Sequence, residues 1–354
     1  MAEQKLPTDP KYDTYDFPTT SPESKAGHPG HTTPEQDAKV FQLRTVLEQE
    51  GYTERLDTLT ILRFLRARQF DVEKSKLMFI ETEKWRKEFG TDDLPRTFDY
   101  TEKAKVFEYY PQFYHKTDND GRPVYIEKLG KINLNKMLEI TTAERMLQNL
   151  VTEYEKLSDP RLPACSRKSG KLQETCCTIM DLKGIKVMSI PSAYSYLKQA
   201  SAISQNYYPE RLGKLYLINA PWGFSSAFSI IKSWLDPVTQ EKIHVLGSDY
   251  AKTLLQQVPA ENLPANLGGS CKCEGGCELS DDGPWQDSEW TRTPAWATSP
   301  EEKAVAKEVD AKEVDAKEGE AEAKKEETKK EETEAEAAVI TNEDPGPEVV
   351  QTSA

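Results

Sequence analysis

From Pro123 to Tyr250 the chain alternates short apolar, strand-prone runs with longer stretches of helical periodicity, and this alternation restricts the fold more than any other feature. The run VYIEKL after Pro123, then residues 175–181, 215–219 and 243–246, read as strands. Helical stretches separate them: one begins at Thr141 with Met146, Leu150, Tyr154 and Leu157 on a shared face, others cover 192–205 and 225–235, and a last one starts at Tyr250. A chain that returns to a sheet after each helix lays its strands mostly parallel, so the fold class is α/β. Asp120-Gly121 marks a tight turn just before the first strand, and Thr141 with Glu144 fits a capping box.

Ahead of this region the periodicity is purely helical. Thr33-Pro34-Glu35-Gln36 fits a capping box with Pro at the first helical position, Val40, Leu43 and Leu47 share a face, and Gly51 suits the exit. A second helix follows from Asp57 through LTILRFLRARQ. A third runs from Asp71, with Met78 and Trp85 on one side and Gly90 at its end. Residues 33–92 therefore form an N-terminal three-helix module and residues 93–290 the α/β domain. Residues 1–32 carry five prolines among polar side chains and read as a disordered arm. Residues 291–354 lack Leu, Met and Cys, have no aromatic after Trp296, and repeat AKEVD and KKEET, the composition of a disordered acidic low-complexity tail.

The net charge of -14 is uneven, because the tail holds nine Lys and Arg against 18 Asp and Glu. What remains is only mildly acidic, which excludes the basic stripe of a nucleic-acid protein and restricts any membrane contact to a local patch. No apolar run is long enough to span a bilayer, and MAEQKLPTDP lacks the apolar core of a secretory signal. A cytoplasmic protein with reduced thiols is expected.

Three motifs invite chemistry. Ser225, at the head of a helix after the strand LYLIN, with Asp236 and His244 following, imitates the order of an α/β-hydrolase, but Ala220, Pro221 and Trp222 stretch the turn beyond a nucleophile elbow. Asp118, Asp120, Gly121 and Glu127 approximate a calcium loop, yet Lys116 and Pro123 occupy its first and eighth positions, and a hairpin turn is the better reading. Cys271, Cys273 and Cys277 are close enough to bind a metal but have no fourth ligand at a zinc-finger spacing, so they read as reduced loop thiols and no metal is expected. What remains is the helix FSSAFSIIKSWL, apolar over most of its circumference. Such a helix is either buried on all sides or covers something apolar that is not protein.

The blocks FLRARQFDVEKS, FYHKTDNDGRPVYIEKLG, CTIMDLKGI, SQNYYPERLGKLYLINAPWGF and LDPVTQEKI resemble the CRAL-TRIO lipid-binding family, in particular its fungal phosphatidylinositol/phosphatidylcholine transfer branch, from Thr33 to Trp290. The resemblance implies a helical module packed on a CRAL-TRIO domain whose sheet floors a lipid cavity. The 225–235 helix, with Phe228, Ile230, Ile231 and Trp234, would be its movable gate. It implies phosphatidylinositol ligands at Arg68, Glu210, Thr239 and Lys242, and phosphatidylcholine ligands at Tyr114, Tyr125, Tyr154, Cys176 and Thr178. Two positions depart from the family: Gln69 stands in place of a lysine and Cys176 in place of a serine. By the same resemblance the protein is a non-enzymatic monomer whose ligand is phospholipid, with no other cofactor. It would meet membranes transiently, present phosphatidylinositol to a lipid kinase and support Golgi traffic. Two alternatives are a carrier or sensor for a sterol or tocopherol-like ligand and, more remotely, a serine hydrolase using Ser225. Two acyl chains at about 0.8 kcal/mol per methylene oppose a lipid leaving a bilayer by roughly 20 kcal/mol or more. An apolar cavity largely replaces that environment, so transfer needs a door and no covalent chemistry.

Overall fold

The strand-helix alternation does build a single mixed sheet, described here from a computed structural model that covers residues 6–185, 190–224, 228 and 237–297. Its strands are β1 (Gln112–Thr117), β2 (Pro123–Glu127), β3 (Cys176–Asp181), β4 (Leu212–Ile218) and β5 (Ile243–Val245), in the spatial order β1-β2-β3-β4-β5. β1 runs antiparallel to β2, and the other pairs are parallel. β1 escapes a reading by apolar periodicity because QFYHKT mixes polar with apolar residues and lies at the sheet edge. The β1–β2 hairpin is closed by Asp118, which accepts from the Asp120 and Arg122 amides at 3.0 and 2.8 Å; Gly121 there has φ 91°. The hairpin reading of that stretch therefore stands, and Glu127 lies within β2, where it accepts a hydrogen bond from Tyr110.

The helices are α1 (Pro34–Gln49), α2 (Thr58–Ala67), α3 (Val72–Phe89), α4 (Leu94–Thr97), α5 (Lys103–Phe107), α6 (Leu134–Leu138), α7 (Ala143–Lys156), α8 (Leu162–Ser169) and α9 (Ile190–Tyr207), followed by short helices Pro237–Glu241 and Ala251–Gln257. Thr33 and Gln36 form the expected capping box, Asp57 and Asp71 cap α2 and α3, and Gly90 ends α3 in the left-handed conformation. The cap of α7 is Thr142 rather than Thr141, because the Thr141 hydroxyl is spent on Glu102 at 2.6 Å. Leu43, Leu47, Ile61, Leu62 and Phe79 join the first three helices, each buried side chain contributing about 1.5–3 kcal/mol. Trp85 of α3 stacks on Tyr207 of α9 at 4.1 Å and Arg86 reaches Glu155 of α7 at 2.9 Å, which docks the helical module on the α/β domain.

Consecutive parallel strands are neighbours, so right-handed crossovers carry the connecting helices over one face of the sheet. The opposite face is sealed by Val124, Ile126, Cys177 and Ile179 against Leu254, Val258, Leu263 and Leu267. Side chains alternate along strands, so the two faces have different lining.

The N-terminal segment corrects the expectation of a disordered arm: residues 6–32 are laid along the helical module. Leu6 and Tyr12 pack on the helical core, and polar anchoring adds to that burial. The Asp13 carboxylate accepts from the Thr58 amide at 2.6 Å at the start of α2 and lies 3.5 Å from the buried Arg44 guanidinium. Tyr15 donates to Asp57 at 2.9 Å, Tyr12 to Glu48 at 2.6 Å, and the Leu172 amide donates to the Thr20 carbonyl at 2.8 Å. At the other end, order extends past residue 290, since Trp296 donates through Nε1 to the Asp159 carbonyl at 2.7 Å. The expected acidic tail from residue 298 onward lies outside the described residues.

Asp13→Ala leaves Arg44 buried without its carboxylate, and we expect it to lower the unfolding free energy by about 3 kcal/mol. Urea titration of the full chain measures this; an unchanged midpoint would show that the segment contributes nothing.

Candidate functional site

Register places one residue from each strand in a row on the helix-covered face. Tyr114 pairs with Tyr125, Tyr125 with Thr178, Thr178 with Leu215, and Leu215 with Ile243. Three of the five residues expected to bind phosphatidylcholine are thus consecutive in that row. The other two are adjacent: Cys176 lies two residues from Thr178 on β3, its Sγ 3.6 Å from the Thr178 hydroxyl, and Tyr154 of α7 packs with Tyr114, Tyr125 and Cys176 in one cluster.

The rings are oriented by neighbours that the sequence reading did not single out. Tyr114 and Tyr125 have centroids 5.0 Å apart, and Tyr154 stacks on Tyr208 at 4.6 Å. The Arg161 guanidinium lies 4.4 Å from the Tyr114 ring centre, so one cation–π contact of Tyr114 is already taken by the protein. Burial raises the phenols of Tyr114 and Tyr125 well above their usual range and pushes that of Tyr154 up to about 12. Burial likewise raises the Cys176 thiol. The row therefore presents neutral donors to any ligand. The Cys176 thiol donates to the Arg211 carbonyl at 3.4 Å, which leaves it a poor donor to a phosphate.

A second constellation gathers at the amino ends of β3, β4 and β5. Glu174, Glu210 and Lys242 precede these strands by one or two residues. Lys242 Nζ lies 4.0 Å from Glu210, and Arg66 of α2 approaches Glu210 at 3.9 Å and Glu174 at 3.1 Å. Two of the four residues expected to bind phosphatidylinositol, Glu210 and Lys242, are therefore brought together. Thr239, half-buried in the helix Pro237–Glu241, is tied to them through its carbonyl, which accepts from the Lys242 amide at 3.1 Å. Arg68 caps the C-terminus of α2 with its guanidinium on the Ala67 carbonyl at 3.0 Å; its neighbour Arg66, not Arg68, pairs with Glu210.

This end of the sheet holds guanidinium donors that make no hydrogen bond. Arg66 Nε and Nη1 and Arg211 Nε are buried without a hydrogen-bond partner. Burial, and then the charge of Arg63, push Arg211 down to about 9, and burial also lowers Arg63. A phosphate would accept hydrogen bonds from such donors. The N-terminal segment reaches the same place: burial, and then Arg66, lower the His28 imidazole, and Lys25 lies 3.4 Å from Glu241. Arg63 and Arg66, three apart on α2, were the available sequence signal for this cluster.

Of the expected gate residues, Phe228 stacks on Phe224 at 5.9 Å, whereas Ile230, Ile231 and Trp234 lie outside the described residues, as does Ser225. His244 stacks on Tyr216 at 4.9 Å, on the sealed face. Surface concavities of about 320 Å³ at the β1–β2 turn and about 660 Å³ beside Cys271 and Leu279 contain none of the expected lipid ligands.

Arg161 is the support on which Tyr114 depends. It is 2 % exposed and bridges Glu153 at 2.8 Å and Asp281 at 2.9 Å. Burial opposes ionisation of Glu153, but Arg161 prevails and holds it down to about 2. A carboxylate depressed on folding adds stability above its unfolded value near 4.5, lost as pH falls toward about 2. Arg161→Met removes the nearer partner of the buried Glu153, leaving it Lys103 at 3.5 Å, and should cost about 3 kcal/mol at neutral pH, with the deficit shrinking in acid. Denaturation of both proteins from pH 7 to pH 3 checks this; a deficit that stays constant would contradict the pairing.

Comparison with known proteins agrees with the fold. Residues 107–269 match the CRAL/TRIO domain and residues 39–81 the CRAL/TRIO N-terminal domain. The Sec14 cytosolic factor of Schizosaccharomyces pombe is 62% identical over 274 residues, covering 77% of this chain and 96% of that protein. The phosphatidylinositol/phosphatidylcholine transfer protein SFH4 of Arabidopsis thaliana is 43% identical over 232 residues, covering 65% of this chain and 38% of that longer protein. The crystal structure of Sfh5 superposes with a TM-score of 0.53 at 18% identity, over 76% of this chain and 98% of that one, and shows the shared fold. With helical module, sheet and both matches in register, the chain belongs to the CRAL/TRIO family, with the fungal Sec14 cytosolic factors among its relatives.

Proposed function

We propose that the protein is a non-enzymatic carrier that exchanges phosphatidylinositol and phosphatidylcholine between membranes. The observation that carries this reading is the set of buried, unbonded guanidinium N–H groups of Arg66 and Arg211 beside Glu210 and Lys242, next to a neutral, tyrosine-rich row on the same domain. An anionic phosphate carrying a polyhydroxylic headgroup suits the first, with Arg68 and Lys242 toward phosphate and Glu210 and Thr239 toward hydroxyls. A quaternary ammonium suits the second, where Tyr125 and Tyr154 offer faces that complement Tyr114, and Thr178 donates to phosphate more strongly than Cys176. The name of the Arabidopsis thaliana relative points the same way.

Membrane contact follows from the same domain. Trp222, in the turn after β4, is fully exposed, and an indole at the head of the apolar 225–235 stretch suits a headgroup interface. No helix among the described residues is long and apolar enough to cross a bilayer. On this reading the protein acts as a monomeric cytoplasmic carrier that visits Golgi or other endomembranes transiently. It presents phosphatidylinositol to a lipid kinase and so supports secretory traffic.

Replacing Arg68 and Lys242 together by Ala should cut phosphatidylinositol transfer between vesicles at least about tenfold, because charge-assisted contacts contribute about 1.5–3 kcal/mol each. Phosphatidylcholine transfer should change far less. Unchanged phosphatidylinositol transfer would sink the headgroup assignment. Conversely, Tyr125→Leu should lower phosphatidylcholine transfer by about three- to tenfold, the scale of one cation–π contact, and spare phosphatidylinositol. Equal loss of both lipids in this variant would instead mean damage to the shared cavity.

A further inference from the structure

The three cysteines of the 271–277 loop lack a fourth ligand in the linear sequence, but the fold supplies one. His115 of β1 projects onto the sealed face of the sheet, and its ring nitrogen and the sulfurs of Cys271, Cys273 and Cys277 all lie within 4.8 Å of one another. His115 Nε2 is 3.4 Å from Cys271 Sγ, and Cys271 Sγ is 3.7 Å from Cys273 Sγ. A tetrahedral zinc with bonds of about 2.3 Å to sulfur and about 2.0 Å to nitrogen separates its sulfurs by about 3.8 Å and nitrogen from sulfur by about 3.5 Å. The observed separations are those edges. They are far too long for a disulfide, whose sulfurs sit at about 2.05 Å.

The surroundings are organised as a metal site needs. His115 Nδ1 is 3.4 Å from the Ser280 hydroxyl, a partner that fixes the ring and leaves Nε2 directed at the sulfurs. Gly275 and Gly276 take φ of 72° and 94°, the left-handed turn that returns Cys277 toward Cys271. Lys116 Nζ, 3.5 Å from Asp282 and 3.1 Å from the Glu261 carbonyl, brings positive charge beside a set of thiolates. His115, Cys271 and Cys277 are buried and Cys273 is half-buried, so such a centre is closed to solvent on most sides.

We propose that His115, Cys271, Cys273 and Cys277 form a structural zinc site that staples the 263–282 loop to strand β1. Three thiolates and an imidazole fill all four positions of a tetrahedral ion, so the site is structural and not hydrolytic. Its mechanical consequence is local: His115 is the residue after Tyr114, so fixing it on one face of β1 fixes the tyrosine on the other. The site is independent of the lipid assignment.

The test is elemental analysis of full-length protein purified without chelator and dialysed exhaustively. About one zinc per chain is expected, and Cys273→Ser/Cys277→Ser should lose it at least about tenfold. Should that variant fold poorly, cobalt exchanged into the wild-type protein gives a second reading: thiolate-to-cobalt charge transfer with the intense visible bands of a tetrahedral centre. Zinc well below stoichiometry, a different stoichiometric metal, an octahedral cobalt spectrum, zinc retained in the double variant, or a Cys271–Cys273 disulfide in non-reducing peptide maps would each overturn the proposal.

Discussion

The structure depends on a register constraint. Five strands in sequential order, with side chains alternating between faces, compel residues at matched positions to share a surface. One surface is closed by the Ala251–Gln257 helix and the loop after it. The other carries Tyr114, Tyr125, Thr178, Leu215 and Ile243 in a line. A slip of one residue in any strand would exchange the two sets, so the same pairing that seals the core also assembles the tyrosine-rich face.

Polarity is arranged along a second direction. Ligands of open parallel sheets usually lie beyond the carboxyl ends of the strands. Here the charged constellation of Arg66, Glu174, Glu210 and Lys242 gathers at the amino ends of β3 to β5, where the helical module and the N-terminal segment meet the sheet. That position explains why the segment is ordered. It lies over charged groups there, and it is held by carboxylate and phenol contacts together with the burial of Leu6.

Much of this was legible in the sequence because periodicity and capping are local. The helices beginning at Pro34, Thr58 and Val72 and the parallel strands follow from them. What was not legible came from contacts between distant residues. The arm resembled a disordered segment because composition registers the prolines but not the pairing of Asp13 with Thr58 and Arg44. Arg161, beneath Tyr114, and His115, beside Cys271 and 156 residues from it, meet their partners only through the tertiary fold, which spacing rules cannot reach. The headgroup residues were named through a family resemblance; their side chains alone resemble ordinary surface charges and core aromatics.

The central claim is that the tyrosine-rich face and its cationic end hold one diacyl phospholipid. Native mass spectrometry of the full chain purified from cells, followed by lipid extraction, tests it most directly. One phospholipid per chain, of phosphatidylinositol or phosphatidylcholine mass, is expected. Recovery of a sterol, or of protein with no lipid bound, would contradict it.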